Sequence, residues 1–460
     1  MVSTQMFLSN SPIAELGRAL STADGLTSRR RLLAGLSGGV ASLAALSLVD
    51  VDAKPKKKSR KKGKGKGKGS GKGQGNGNGN RGGGGGGNRP ASYDGPVFTV
   101  SGRSILDTGG DPVALRGVNK MSVFDDDDPR GNAYFPEIAK SKSNTVRIVW
   151  AIEDDNGPTD VNDLAALIAN CQANKMLPMI ELHDATGDLS QLPKLGNYWT
   201  RNDVLQVIFN AGGNLLVNIG NEVGDDSVTT NQWVNAYTSV IRQMRNAGIR
   251  TPLVIDAPDF GKNLEVVVAG AQNLLNVDSN LIFSVHPYWG ISDGADATFI
   301  ENQFDAAFDA NIALVIGEFS RWGAYNGNNS ICVGAGECDY NAIMTKASQH
   351  GFGWYAWEWG PGNEFGDANC SKMNMTTKGT LASKSAGWAT EVFSRIAAES
   401  NPDHRLVNAR RALVRARKSV ASKRLAGCRV HPASLAVAQD DLRLSCGLHW
   451  NSEETPLGNS

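Results

Sequence analysis

Between residues 114 and 359 the chain alternates short apolar runs with longer stretches whose apolar residues recur at helical spacing. The runs are ALRGVN (114–119), NTVRIVW (144–150), MLPMIELH (176–183), LLVNIGNE (215–222), PLVIDAP (252–258), LIFSVHPY (281–288), ALVIGEF (313–319) and GFGWYAWEW (351–359). Between them lie amphipathic segments such as DVNDLAALIANCQANK, TTNQWVNAYTSVIRQMRNAG and DATFIENQFDAAFDANI. Near-continuous apolar strands separated by crossover-length helices predict a parallel sheet buried on both faces. Eight such repeats in about 270 residues fit a closed (β/α)8 TIM barrel, typically ~250 residues long. The rival, an open doubly wound sheet, requires a Gly-rich phosphate loop after an early strand, which this sequence lacks.

The strand endings are less regular than the strands. VNIGNE (217–222) stops at Asn221 and Glu222, and LVIGEF (314–319) carries Glu318 at the same place. A desolvated carboxylate costs several kcal/mol. Either each Glu is the first solvated loop residue, or the strand exists to hold it. In a (β/α)8 barrel the active site lies at the C-terminal strand ends. The residues there are Asn119, Arg147, His183, Asp184, Asn221, Glu222, Asp256, Asp259, His286, Tyr288, Glu318, Trp357 and Trp359. One polar ending is ordinarily a loop residue meeting water. So many converging on one rim predict a site.

Two carboxyls facing one small site ionise unequally, because the first charge keeps the other group protonated. One acid and one carboxylate are what glycosidic cleavage needs. Arg147 can fix a nucleophilic carboxylate without losing its charge, and Tyr288 can do so through its phenol. Asn221 offers an amide to the sugar hydroxyl beside the reacting carbon. His183 and His286 supply orienting contacts, although either alone would read as a satisfied structural histidine. Of the ten tryptophans, Trp150, Trp289, Trp322, Trp357 and Trp359 fall at or past strand ends, where an indole face suits a pyranose. Trp233 and Trp388 sit in helical patterns and read as core.

The ordered set TVRIVW, ELHDATG, VNIGNE, FSVHPYW, VIGEFS and GWYAWEWGPGN resembles glycoside hydrolase family 5 over about residues 95–395. The resemblance implies a retaining enzyme on a (β/α)8 fold. It implies Glu222 as acid/base and Glu318 as nucleophile, with Arg147, His183, Asn221, His286, Tyr288 and a strand-eight Trp in support. Either Trp357 or Trp359 fills that last position, Trp357 being the first choice; Trp289 is a further candidate for substrate contact. ELHDATG and the VRIVW ending look most like the bacterial β-mannanase branch. Val223, where Pro is common, and WEWGPGN, in place of a Trp-Ser-Trp pattern, depart from the family. The substrate expected first is β-mannan and second a cellulose-type glucan. The competing reading of another class is a barrel that binds polysaccharide without cutting it.

Composition adds the flanks. Residues 1–53 form an export-signal region: SRRRLL looks like a twin-arginine signal, an apolar stretch follows at 32–49, and Val51, Asp52 and Ala53 resemble a peptidase site. An uncleaved anchor is the alternative. Residues 54–90 hold thirteen Lys and Arg and no acid among Gly and Asn, which predicts a disordered linker. It suits adhesion to an anionic envelope; without interleaved aromatics it offers no platform for nucleic-acid bases. The overall charge of +1 therefore leaves residues 91–400, the catalytic domain, at about −17. So acidic a body is a poor nucleic-acid binder and suits an uncharged ligand. Residues 401–460 are a basic extension, read either as an amphipathic helix for an anionic surface or as sequence without selected structure. Six cysteines include Cys332 and Cys338, which export would allow to pair, and Cys428 and Cys446, which could pair in the extension. None has zinc-site spacing, no metal or cofactor is expected, and the chain is expected to be a monomer.

Overall fold

The eight apolar runs become the eight strands of a closed parallel barrel in the computed structural model, which describes residues 89–154, 157–323, 336–362 and 370–400. The export-signal region, the linker up to residue 88, the extension 401–460 and Cys332, Cys428 and Cys446 lie outside the described residues. The chain enters through a hairpin, β1 (Thr99–Ser101) and β2 (Ser104–Leu106). The barrel strands are β3 (Arg116–Lys120), β4 (Thr145–Trp150), β7 (Leu177–Leu182), β8 (Leu216–Asn218), β9 (Leu253–Asp256), β10 (Leu281–Val285), β11 (Leu314–Ile316) and β12 (Gly353–Ala356). Each pairs with its neighbour, and β12 closes on β3. The two-residue strands β5 (Glu153–Asp154) and β6 (Gly157–Pro158) form a small separate hairpin after β4.

Helices α1 (Tyr134–Lys140), α2 (Val161–Ala173), α3 (Leu192–Trp199), α4 (Asn202–Ala211), α5 (Thr230–Asn246), α6 (Leu264–Leu275), α7 (Ala297–Asp309), α8 (Tyr340–His350) and α9 (Trp388–Glu399) fill the connections. The three helices expected from amphipathic spacing are α2, α5 and α7. Each starts where a side chain can satisfy the exposed backbone donors of a first turn. Asp160 accepts from Asn162 N–H, Thr229 and Gln232 form a reciprocal capping box, and Asp296 accepts from Thr298 and Phe299 N–H.

Side chains of a strand alternate between faces, so each barrel strand sends one row inward. The lower inward row is apolar: Leu177, Met179, Leu216, Val254, Ile282, Val315 and Tyr355 cluster with Leu115, and with Phe98 and Ile105 of the entry hairpin. Two residues further along, the row turns polar, with Glu181, Asn218, Asp256 and Ser284, all buried. Strands β8, β10 and β11 end earlier than their apolar runs, so Asn221, Glu222, His286 and Glu318 stand just beyond the ladder.

Closure is reinforced from outside. Arg116, on β3, is fully buried and donates from Nε to Glu399 Oε2 at 2.6 Å. Its other donors reach Phe352 O at 2.9 Å and Ser348 Oγ at 3.1 Å. Burial alone would raise the Glu399 carboxyl, but Arg116, Ser348 and Arg395 hold it below the ordinary range. One ion pair thus ties the first strand, the last strand's approach and the last helix. Glu399→Ala leaves the Arg116 charge buried without its carboxylate. It should cost about 3–5 kcal/mol, read as a lower denaturant midpoint, whereas an exposed carboxylate changed to Ala on the same helix should cost far less.

Candidate active site

Arg147 is the centre of the polar layer. It projects inward from β4 with no exposed surface. Nη1 donates to Glu318 Oε1 at 2.8 Å and to Asn119 Oδ1 at 3.1 Å. Nη2 donates to Asn221 Oδ1 at 2.7 Å and Asn218 Oδ1 at 2.9 Å, and lies 3.4 Å from Asp256 Oδ2. Burial works against the charged guanidinium, but Glu181, Asp256 and Glu318 outweigh it and raise its pKa. Strands β3, β4, β8 and β9 and the loop after β11 therefore converge on one permanent cation.

The two carboxyls sit in different surroundings. Glu318 receives Arg147 on one oxygen and the Tyr288 hydroxyl on the other, at 3.0 Å. Burial raises it to about 7 against the opposing pull of Arg147. Glu222 has His286 Nδ1 at 2.9 Å from Oε1, while Oε2 has no hydrogen-bond partner among the described residues. Burial first, then the charges of Glu318 and Asp256, push Glu222 well above the ordinary glutamate range. His286 is pushed well below the usual histidine value by burial and by the charges of Arg147 and His183, so its ring is neutral. One oxygen of each glutamate and His286 Nδ1 all lie within 4.8 Å of one another. Both carboxyls thus sit above the ordinary glutamate range, Glu222 with like charges adding to its burial and Glu318 with a guanidinium opposing the rise.

Asn221 has its amide turned by Arg147: Oδ1 faces the guanidinium, and Nδ2 donates to Thr186 Oγ1 at 3.0 Å, with His183 Nε2 at 3.4 Å. His183 Nδ1 meets Glu181 Oε1 at 2.9 Å. Burial opposes its charge, but Glu181 and Glu318 outweigh that and raise its pKa. Its ring stacks on Trp357 at 6.4 Å and 23°, and Phe124 meets its edge.

Of the tryptophans named from sequence, Trp357 joins this cluster and two others do not. Trp359 packs on Phe393 of α9 and donates its N–H to Gly379 O at 3.0 Å. Trp289 leans on Phe299 and Phe304 of α7 and donates to Lys262 O at 3.2 Å. Each packs on an outer helix and bonds a loop carbonyl. Glu181 and Asn218 were missed, because they are hidden inside apolar runs rather than at their ends. Counting back two residues from His183 would have found Glu181. The Glu358 departure from the family pattern also points elsewhere: its buried Oε2 accepts Met121 N–H at 3.1 Å, beneath the loop after β3.

Residues 106–363 match the model of the family described as Cellulase (glycosyl hydrolase family 5). The chain belongs to glycosyl hydrolase family 5. It is 29% identical over 266 residues to a mannan endo-1,4-beta-mannosidase of Salipaludibacillus agaradhaerens, covering 57% of this chain and 81% of the relative. A second mannan endo-1,4-beta-mannosidase, of Cellvibrio japonicus (strain Ueda107), is 29% identical over 289 residues, 61% of this chain and 62% of the relative. Among solved structures, the catalytic domain of the mannanase from Streptomyces sp. SirexAA-E superposes with a TM-score of 0.57 at 25% identity, over 67% of this chain and 94% of that one. The β-mannanase of Streptomyces thermolilacinus with mannohexaose gives 0.56 at 25%, over 65% and 94%.

In this family 5 chain, Glu222, His286 and Glu318 are spaced closely enough to reach a cation. The surroundings work against one. Arg147 already pairs with Glu318 at 2.8 Å, and the Tyr288 hydroxyl occupies the other Glu318 oxygen, so neither oxygen is left free for a cation. Proton sharing between the glutamates is the better match to this donor set. It carries a prediction. Glu318→Gln removes one of the charges that raise Glu222, so the Glu222 pKa should fall, as read by carboxyl ¹³C NMR. An unchanged or higher value would mean that the two groups do not sense one another.

Proposed function

We propose that this chain is a retaining endo-β-1,4-glycanase acting on β-mannan, with Glu222 as acid/base and Glu318 as nucleophile. The observation that supports the reading is that one oxygen of each glutamate lies within 4.8 Å of one of the other, in unlike surroundings, a nearness that leaves little room for a water between them. A retaining pair stands ~5–5.5 Å apart, whereas an inverting pair needs ~6.5–9.5 Å for an intervening water. Glu318, bridged by Arg147 and Tyr288, is the group whose carboxylate form has donors on both oxygens and is aimed by them. Its carboxylate attacks the anomeric carbon, the bond to the leaving oxygen breaks, and the Glu222 proton goes to that oxygen. Glu222, now ionised, then takes a proton from the water that releases the sugar. Asn221 and His183 line the side where the hydroxyl next to the anomeric carbon would lie, and Trp357 supplies a ring face. The names of the relatives favour mannan as substrate. A retained pair in this state of readiness speaks against a barrel that only binds.

Export is part of the same reading, on the strength of SRRRLL and the apolar stretch behind it, with the basic linker as an adhesive to anionic surfaces. Replacing Arg29, Arg30 and Arg31 by Lys should retain the enzyme inside the cell, and unchanged activity in the culture medium would refute the twin-arginine route.

The catalytic reading is tested by a reducing-end assay on mannan, glucomannan, carboxymethylcellulose and xylan, where mannan should be cut fastest. Wild-type silence on all four would favour the binding module. Glu222→Ala should lose about 10²–10⁴-fold on polymer but recover on dinitrophenyl glycosides, with azide giving a β-glycosyl azide. Glu318→Ala should instead give the α-azide, because azide then enters from the face the carboxylate has left. The reverse pattern would exchange the two roles.

A further inference from the structure

Asn221 and Glu222 are consecutive, yet both face the cleft: Asn221 meets Arg147, and Glu222 meets His286. In extended backbone, consecutive side chains point to opposite faces. The conflict is resolved at Glu222, whose φ is +47°, in the left-handed region that side-chain-bearing residues avoid. Such a conformation persists only where the surroundings hold it. Both polar groups of the Glu222 backbone are taken. Its carbonyl accepts Gly187 N–H at 2.8 Å, and its N–H is donated to Asp256 Oδ2 at 3.0 Å.

Asp256 lies on the neighbouring strand β9 and is fully buried. Its Oδ1 accepts Asn218 Nδ2 at 3.0 Å. Its Oδ2 also lies 3.4 Å from Arg147 Nη2 and 3.5 Å from His286 Nε2. The His286 ring thereby lies between this carboxylate, with which its Nε2 makes no hydrogen bond, and Glu222 Oε1, which its Nδ1 meets. One side chain touches the backbone of one catalytic glutamate, the cation that aims the other, and the ring that meets the first.

We propose that Asp256 is a positioning residue for the proton donor: it fixes the left-handed backbone at Glu222 and so the direction from which the Glu222 carboxyl meets the leaving oxygen. This rests on the assignment of Glu222 as acid/base. Asp256→Asn keeps the size but sets an NH₂ against one of the donors the carboxylate accepts. Glu222 then loses its alignment more than Glu318 does, because Arg147 and Tyr288 still hold the nucleophile.

Leaving-group dependence separates this from a general structural role. A dinitrophenolate departs without a proton, so its release in the first turnover reads the nucleophile alone, and the burst amplitude counts folded sites. Per folded site, Asp256→Asn should lower kcat on the polymer cut fastest by about 100-fold, and the dinitrophenol burst rate on the matching disaccharide glycoside by about tenfold less than that. Asp256→Ser should behave alike. Equal losses on both substrates, or no loss on polymer, would overturn the proposal, as would failure of both variants to fold, which would assign Asp256 to stability. Glu222→Ala is measured beside them. If it shows the leaving-group dependence and Asp256→Asn does not, the positioning role falls alone. If neither shows it, the acid/base assignment falls as well.

Discussion

A guanidinium without access to water sits at the middle of the barrel mouth, and the rest of the site is arranged around it. Burying a charge is tolerable only when it is paired and hydrogen-bonded. Arg147 meets that condition with oxygens from Asn119, Asn218, Asn221 and Glu318. Each comes from a different strand or strand-end loop, except Asn218 and Asn221. The demand of one cation for partners therefore fixes the relative positions of four barrel segments. A lysine could not replace it, because a point charge on a flexible stem lacks the planar fork that reaches all of these oxygens.

The same burial makes the two glutamates unequal. Desolvation raises both carboxyls, and what distinguishes them is which neighbour resists it. Glu318 faces the guanidinium and a phenol hydroxyl. Glu222 faces a neutral imidazole and two carboxylates of like charge. The proposed division of labour between proton donor and nucleophile therefore rests on the surroundings, not on the residue type. A dry barrel interior lets such differences matter, since the same neighbours in water would be screened.

Much of the fold was legible in the chain. The eight strands fall inside the eight apolar runs to within a residue because a strand buried on both faces is mostly apolar, and the amphipathic intervals became helices for the complementary reason. The entry hairpin was not legible: three-residue strands with only Phe98 and Ile105 buried carry too little pattern. In the site, the strand-end residues were visible as polar interruptions. Glu181 and Asn218 were not, since one polar residue within an apolar run reads as noise until the inward row is known.

The sequence alone determined the barrel, the family, and the two glutamates at equivalent strand ends, because those follow from periodicity and local order along the chain. Only the tertiary structure decided which indole lies against the polar layer at His183. Trp357 and Trp359 are two residues apart and look alike in sequence, yet one stacks on His183 and the other meets Phe393 edge-on. It alone decided that Asn221 and Glu222 share a face, through a backbone turn at Glu222 held by Asp256, 34 residues further along the chain. The reason is the same in each case. Where a side chain points, and how its charge is balanced, depends on neighbours that are distant in sequence and adjacent only once the barrel has closed.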